Sequence, residues 1–545
     1  MRSRQAWPYI SLAVLLCTSA AIAEVSFKPH IDISQILNVA SAEDDQVYSE
    51  ISAGLDLKYS RPRAQAQISY DYGRRIAERG NVATENRHTL TAKATADLVK
   101  GWLSVDAGAY AGLQNRDPRA GVAISGSDSR ANLTQTFSGF VEPKLSRQIG
   151  GETLVEASYR LGAASAGGRS ATTGAAGGGI GLPNNEVPID RTARSVSQEA
   201  RLRLSGEAAT RISWSASAEA LRENSKRLDQ LYRTYRGTIE TQIRLTRAFG
   251  LVASGGYEDI LNTEQAFLTD INGRPNVDAN GDFQVDPLAP RRLVFSRVGA
   301  TYEGGVIWAP SRRTSFRIRY GKVFGGNSLN GEVQYRVNSR LGMTGTYQQG
   351  IESFGRLLTR DIAGVPTSFI VSDQQAAGLG ECVIGVDPAT GGCIGNATQA
   401  VTSAQFRSQA AQLIIAGKKG RTAYSLTTIY NRRRFLDSRQ LQTPTGDVVD
   451  PTLTERADQS IAFNSRISYR LARRSTLSLT AFAQRYQFAL ASSRNDSYFG
   501  GTLGYNQAVG RNLEFSLTGT ANRQLSTGQP ATTRGVVTAG LRARF

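Results

Sequence analysis

The sequence predicts an all-β chain: a single large antiparallel transmembrane β-barrel of about 22 strands, with short periplasmic turns and long extracellular loops. Apolar and polar residues alternate with period two, many alternating segments run to 12 or more residues, and tight turns alternate with longer connections. Strands of soluble sheets average about 5–6 residues, whereas about 9–11 tilted residues cross a bilayer. A closed barrel pairs every backbone group and can therefore face lipid. A soluble β-sandwich or propeller is the alternative, but no blade-like repeat occurs.

The amino terminus has the pattern of a secretory signal peptide over residues 1–23, which leaves residues 24–545 for the barrel. Two early arginines precede the apolar stretch Ile10 to Cys17, and Ala21-Ile22-Ala23 provides a small-residue cleavage site. A membrane anchor is the alternative, but the apolar stretch is too short to span a bilayer. The expected location is the outer membrane of a Gram-negative cell.

Period-two alternation identifies the strands one after another. It is clearest in Ile51 to Tyr59, Leu103 to Leu113, Ile461 to Leu471 and Leu513 to Leu517. The predicted strands lie near residues 25–39, 47–60, 64–76, 87–99, 101–113, 130–145, 150–162, 191–205, 210–222, 231–247, 249–259, 291–309, 312–324, 327–338, 340–353, 404–417, 420–434, 455–470, 474–491, 497–509, 511–525 and 533–545. Helical stripes with i, i+3, i+4 spacing are hard to find.

The connections alternate in length. Tight turns follow even-numbered strands, for example Ser60 to Arg63, Gly206 to Ala209 and Pro310 to Arg313. Longer loops follow odd-numbered strands, notably 114–129, 163–190, 260–290, 354–403 and 435–454. Short turns on one rim and long loops on the other are typical of outer-membrane barrels.

Composition excludes other classes of protein. Lys and Arg number 64 against 46 Asp and Glu, a net charge of +18, and the excess is mainly arginine. No lysine-rich tail or acidic block occurs, so a disordered chain and a nucleic-acid partner are both disfavoured. Mean hydropathy is −0.30, and no run of about 18 apolar residues follows the signal peptide, which excludes a helical membrane protein.

Alternation also predicts what lines the lumen. Apolar side chains face lipid because a basic charge there costs about 2–4 kcal/mol near the midplane, so the residues between them face inward. The basic lumenal residues predicted in this way are Arg201, Arg203, Arg244, Arg317, Arg319, Arg336, Arg466, Arg470, Arg542 and Arg544. Acidic residues share this face, so one interpretation is a wall of cross-strand ion pairs. The other is that surplus guanidinium groups attract an anionic cargo.

Catalytic chemistry has little basis in the sequence, and the chain is predicted not to be an enzyme. Only His30 and His88 are available, no G-x-S-x-G motif occurs, and no His/Cys cluster has zinc spacing. No catalytic residue, cofactor or metal site is therefore assigned.

One loop resembles a calcium-binding loop weakly. Its candidate ligands are Asp278, Asn280, Asp282 and Asp286, oxygen donors at alternating positions. Phe283 replaces the usual glycine and the twelfth position holds no acid, so an ordinary Asn-Gly turn is the favoured interpretation.

Cys382 and Cys393 are the cysteines that remain after signal cleavage. In an exported protein they are predicted to form a disulfide, worth about 2–3 kcal/mol for a short loop. Two free thiols are the alternative.

The chain ends in an alternating strand with a terminal Phe545. This resembles the C-terminal insertion signal by which bacterial outer-membrane barrels are recognised for assembly. The resemblance predicts that the barrel assembly machinery binds the last strand.

A second resemblance concerns function. The segment Arg313 to Ser328, with Tyr320-Gly-Lys-Val-Phe-Gly-Gly-Asn-Ser328 at its end, is followed by Asn338-Ser-Arg340. The opening Phe27-Lys-Pro29 and Tyr59-Ser-Arg61 add to a pattern that resembles the exosortase (PEP-CTERM)-associated outer-membrane barrels of exopolysaccharide loci. The resemblance implies exopolysaccharide export through a basic lumen suited to an anionic cargo.

Two other functions compete with export. One is a diffusion porin for anionic solutes, and the other is a structural or adhesive surface barrel. A TonB-dependent transporter is disfavoured because strands begin by about residue 25 and leave no separate amino-terminal plug. The expected partners are outer-membrane lipid and lipopolysaccharide, the barrel assembly machinery, and polysaccharide with periplasmic export components.

Overall fold

A computed structural model describes residues 24–545 except 42, 81–83, 85, 116–132, 168–192, 227–228, 267, 269–270, 272–275, 277–283, 371–380, 386–389, 395–404, 437–439, 444–445, 450–456, 489–493 and 529. The predicted signal peptide lies outside the described residues. No helix in the described part of the chain is long and apolar enough to span a membrane.

The barrel wall is one antiparallel sheet of 22 strands. Its first fifteen strands are β1 Glu24–Ala40, β2 Glu43–Arg61, β3 Ala64–Arg79, β4 Asn86–Val99, β5 Leu103–Asn115, β6 Leu133–Ile149, β7 Thr153–Ala166, β8 Ala193–Ala209, β9 Ile212–Ser225, β10 Gln230–Arg244, β11 Phe249–Glu264, β12 Arg292–Ser311, β13 Thr314–Val323, β14 Gly326–Asn338 and β15 Leu341–Glu352. An insertion then carries α1 Phe354–Gly364, β16 Phe369–Ile370, β17 Glu381–Gly385 and β18 Gly391–Ile394, and the last three pair as a small sheet.

The wall resumes with seven strands. These are β19 Phe406–Lys419, β20 Thr422–Phe435, β23 Ala457–Ala472, β24 Ser475–Phe488, β25 Arg494–Ala508, β26 Leu513–Ser526 and β27 Thr532–Arg544, with the hairpin β21 Gln440–Thr443 and β22 Gly446–Val449 between β20 and β23. The predicted fold class is confirmed, and most strand ends lie within a few residues of the predicted ones.

Pairing of the first and last strands closes the barrel. β1 pairs with β27 from His30 opposite Arg544 to Ala40 opposite Arg534. Arg542 Nε lies 2.6 Å from Asp32 Oδ1 across this junction, and buried His30 lies 2.8 Å from Asp71 Oδ1 on β3. Closure removes both sheet edges, as a lipid environment requires.

The outer surface is apolar and the alternate face is polar, as the period-two pattern requires. Phe27, Ile239 and Tyr302 are each about three-fifths exposed and point away from the lumen. Their strand neighbours Lys28 and Glu240 lie on the opposite face. A lipid-facing belt of this kind places the strands across the outer membrane.

Three connections differ from the predicted plan, the first being β1–β2, which shortens to residues 41–42. The β13–β14 connection, on the long-loop rim, is only Phe324-Gly325, with φ of 57° and 72°. Two consecutive positive φ values favour a tight hairpin turn. The β8–β9 turn lies at Thr210-Arg211, slightly after the predicted Gly206 to Ala209.

The terminal phenylalanine contributes little packing to this fold. Its side chain is 71% exposed, although its amide donates a hydrogen bond to Pro29 O over 3.0 Å. We expect Phe545→Ala to lower the amount of assembled barrel in cells severalfold while leaving the unfolding transition of the purified barrel unchanged. Heat-modifiable gel mobility of membranes and of refolded protein measures the two quantities. Equal loss in both assays would show that the residue stabilises the fold and is not needed for recognition.

Candidate functional site

The segment between β15 and β19, residues 353–405, is the main feature of the lumen; we call it the lumenal insert. A long loop was predicted over residues 354–403, and this was wrong for the first part, which forms α1. Ser353 Oγ accepts a hydrogen bond from Arg356 N and caps the helix. Apolar residues at helical spacing, Phe354, Leu357, Leu358 and Ile362, are all buried, which fixes one face of α1 against the barrel.

One side of the insert packs on the wall formed by β5 to β8. Phe354 and Leu358 join a buried cluster with Ala164, Ala166 and Ala193. Further along, Ile362, Val365 and Phe369 pack with Tyr110, Phe140, Val383 and Ile394. The small alanines of β7 and β8 leave room for the helix, so the wall and the insert share one apolar core.

The other side of the insert reaches the opposite wall. Cys393 of β18 packs with Ile414 on β19, Ile429 on β20 and Ala462 on β23. In the order of the 22-stranded wall, β6 and β19 are ten strands apart, almost half the circumference. The insert therefore crosses the lumen. Barrels of 22 strands are wide enough that known ones carry a plug, and here that position is taken by a segment from the middle of the chain.

The insert also descends towards the periplasmic rim. Gln67 Nε2 donates to Phe369 O over 2.8 Å, and Phe369 N donates to Gln67 Oε1 over 3.0 Å. Gln67 lies three residues from the start of β3, next to a short periplasmic turn. Lys93 Nζ donates to Ala363 O over 3.0 Å, at the C-terminal end of α1 where a cation is favourable.

Loss of the Gln67 side chain should loosen the deep end of the insert. Because Gln67→Ala leaves two buried backbone groups of Phe369 without partners, we expect a local cost of about 1–3 kcal/mol. Hydrogen exchange at Phe369 should accelerate at least tenfold, while exchange in the barrel strands stays unchanged. Gln65→Ala, one lumenal position away, is the matched control and should not affect Phe369. Unchanged exchange in Gln67→Ala would show that apolar packing alone holds β16.

Four polar residues fix the insert at the extracellular rim; we call them the anchor cluster: Glu223, Ser353, Arg356 and Gln405. Glu223, 1% exposed, accepts hydrogen bonds from Ser353 Oγ at 2.5 Å and Gln405 Nε2 at 3.2 Å. Arg356 Nε lies 2.9 Å from Glu223 Oε2, and Arg356 Nη2 donates to Gln405 Oε1 over 3.0 Å. Both ends of the insert therefore meet one carboxylate near the end of β9.

Arg356 stays positively charged although its side chain is buried. Burial by itself lowers the pKa of the guanidinium, but Tyr232, Glu223 and Glu352 outweigh it and raise the pKa above its ordinary value. The guanidinium also lies over the Tyr232 ring at 4.3 Å. Removing one member of such a buried pair costs about 3–5 kcal/mol of stability, because the other charge is left without a partner. The anchor cluster therefore holds the insert only while both Glu223 and Arg356 are present.

The predicted lumenal arginines all lie on the face opposite the exposed apolar side chains. Arg203, for example, follows exposed Leu202, and Arg470 lies between exposed Tyr469 and Leu471. At least five of the ten have a carboxylate within 4 Å, namely Arg201, Arg244, Arg319, Arg542 and Arg544. Ion pairs therefore account for about half of these arginines, one within β8 (Arg201 with Glu199) and the other four between strands, and attraction of an anionic cargo stays a prediction.

The remaining predicted residues are scattered. Asp278, Asn280 and Asp282 lie outside the described residues, and Asp286 Oδ1 accepts from Leu288 N over 2.9 Å. Cys393 is disulfide-bonded, and Cys382 lies directly opposite it in the β17–β18 register. His88 faces outward among Tyr70, Tyr72 and Phe137.

The lumenal insert and the anchor cluster were not predicted from the sequence. The helix had a local signal, since Ser353 precedes apolar residues spaced for one helical face. Glu223, by contrast, follows an ordinary alternating strand, and its partner Arg356 is 133 residues away along the chain. Nothing local distinguishes such a carboxylate from any other lumenal one.

No family model and no curated protein matches this chain. Solved structures that match it include the siderophore receptor PirA from Acinetobacter baumannii, with 9% identity, 95% of this chain and 80% of that chain covered, and a TM-score of 0.42. The FrpB iron transporter from Neisseria meningitidis has 10% identity, 95% and 82% coverage, and a TM-score of 0.45. The ferric-catecholate import receptor Fiu from E. coli has 11% identity, 94% and 81% coverage, and a TM-score of 0.45.

The resemblance to exopolysaccharide-locus barrels was wrong, and so were the functions predicted from the sequence. The matching structures are siderophore and iron receptors, and no family model supports the expected family. The physical reason is the lumen. Polysaccharide export and a diffusion porin for anionic solutes both need an open passage through the barrel. The insert here crosses the barrel between opposite walls. A purely structural or adhesive barrel and polysaccharide-export partners likewise have no support.

Proposed function

We propose that this chain is a gated outer-membrane importer, in which the lumenal insert closes the pore until a solute from outside displaces it. The observation that carries the proposal is the position of the insert, which contacts opposite walls and extends from the extracellular rim to Gln67. A closed lumen in a transmembrane barrel requires a movement before anything can pass.

The direction of transport follows from where the insert is held. It enters the lumen between the extracellular ends of β15 and β19, and Glu223 of the anchor cluster lies two residues from the extracellular end of β9. A solute arriving from outside therefore meets the anchor cluster first. Uptake is favoured over export because the outer solute can act directly on the groups that hold the pore closed.

The proposed solute is a small anion. Arg203 and Arg470 are exposed on the lumenal face, and guanidinium groups match carboxylate, phosphate and similar oxygen anions. Receptors that share the fold are named for siderophores and ferric catecholates. We therefore choose iron chelates as the first solutes to test, but the proposed anionic class follows from the lumenal arginines and the proposed gating from the insert.

The test combines conductance with uptake. Purified barrel in planar bilayers should have low basal conductance, and an anionic ferric catecholate or hydroxamate added from the extracellular side should raise it or block residual current. Cells lacking their own receptors should accumulate the labelled complex when they express this chain. Large steady conductance without any solute would overturn the gated importer, and binding only of neutral or cationic chelates would overturn the anionic class.

A further inference from the structure

The short turns of the barrel form a ring of positive charge. Ten tight turns join the strands at the periplasmic rim, and nine of them contain a basic residue. Eleven basic residues stand in these turns against the single acid Glu152: Arg63, Lys100, Arg211, Arg247, Arg312, Arg313, Arg340, Arg421, Arg473, Arg474 and Arg511. All eleven are exposed. We call this set the periplasmic basic ring.

The opposite rim has the opposite balance. The connections between strands on the extracellular side hold 13 basic and 18 acidic residues, including those of the lumenal insert. General solubility of loops would place charge of either sign at both ends. The asymmetry therefore indicates that the periplasmic rim meets a negatively charged environment around most of its circumference.

Exposed apolar side chains lie directly beside the basic ones. Lys100 stands between Val99 and Trp102, which are 50% and 45% exposed, and Arg511 stands between Val509 and Leu513, which are 58% and 40% exposed. Similar neighbours are Ile212 beside Arg211, Leu245 near Arg247 and Leu471 near Arg473. The ring thus forms the edge of the lipid-facing belt.

An aromatic side chain marks the same level. The Arg147 guanidinium, near the end of β6, lies 3.8 Å from the centroid of the outward-facing Trp102 ring. Tryptophan with a cation beside it is typical of the interface between acyl chains and headgroups. This contact places the basic ring at headgroup depth and not in open periplasm.

We infer that the periplasmic basic ring binds anionic phospholipid headgroups in the periplasmic leaflet of the outer membrane. A phospholipid fits this arrangement, because its phosphate can pair with the basic side chains of the turns while its acyl chains contact the neighbouring apolar side chains. An acidic protein partner would need only the charges, and would not require the apolar neighbours or basic residues in nine turns spread around the barrel. Basic side chains near an anionic leaflet attract it within a Debye length.

The experiment measures lipid selectivity of the full-length barrel. We would reconstitute it in phosphatidylethanolamine vesicles containing about a quarter phosphatidylglycerol and compare the two lipids bound to it by native mass spectrometry. The wild-type barrel should retain phosphatidylglycerol at least severalfold over its bulk share. The variant Arg312→Gln/Arg313→Gln/Arg473→Gln/Arg474→Gln should lose roughly threefold or more of this preference, and high salt should reduce it.

A matched variant separates ring charge from total charge. Arg116→Gln/Arg119→Gln/Lys226→Gln/Arg227→Gln removes four positive charges from extracellular connections and should keep the wild-type preference. Equal loss in both variants, or no preference in the wild-type barrel, would overturn the inference. Binding of an acidic peptide to the turns without any lipid selectivity would also overturn it, because the surface would then serve a protein partner.

Discussion

Replacing residues 353–405 with a short Gly-Ser linker should convert the closed barrel into a permanently open channel. Glu352 and Phe406 lie opposite each other in the β15–β19 register, so a short turn can join them without disturbing the wall. Since a 22-stranded wall encloses a wide lumen, we expect single-channel conductance to rise roughly tenfold or more. Planar-bilayer recording of the refolded variant measures this directly.

The control for this variant removes another long extracellular connection. Residues 437–456 join β20 to β23, whose ends also face each other, with Arg434 opposite Ala457. The same linker there should leave conductance low. A folded, heat-modifiable 353–405 variant with wild-type conductance would mean that some other segment closes the pore, and the gated importer would have to be abandoned.

The second large effect is expected from Arg356→Met in the anchor cluster. The substitution leaves Glu223 buried without its cation, which costs about 3–5 kcal/mol. Because that cost falls on the contacts that hold the insert to the rim, the insert should leave the lumen more often. We expect frequent channel openings in planar bilayers and a lower denaturation midpoint of the insert.

Two further variants show whether openings come from the anchor cluster or from general instability. Glu223→Gln/Arg356→Met removes both charges and should recover much of the lost stability. Arg433→Met breaks the buried Arg433–Asp458 pair, which joins β20 to β23 in the wall. It should destabilise the barrel without raising the open fraction. Equal opening in Arg356→Met and Arg433→Met would argue against a specific anchor.

Much of the barrel wall could be predicted because its constraints are local. In Ile461 to Leu471, lipid on one side and the lumen on the other favour apolar residues at alternate positions, and all of them but Ser465 are apolar; the same rule applies to each strand. Turn residues and strand lengths follow from the same geometry. Strand ends were less certain, since β11 extends to Glu264, past its predicted end at residue 259.

The family resemblance failed for a related reason. The segment Tyr320 to Ser328 combines alternation with a Phe324-Gly325 hairpin turn, and such a pattern suits any outer-membrane strand pair. A motif that the shared architecture imposes on every barrel does not distinguish one cargo from another. The lumenal arginines carried the same ambiguity, because an ion pair and a cargo site place the same residue on the same face.

The sequence by itself determined the number of strands in the wall and the basic residues of its short turns, because both depend on residues that are neighbours in the chain. Only the tertiary structure decided what fills the lumen that this wall encloses. Whether the lumen is open depends on where residues 353–405 pack, and that depends on Glu223, Gln67 and the apolar residues of β5 to β8. These partners are brought together by barrel closure across long chain separations, where alternation carries no information.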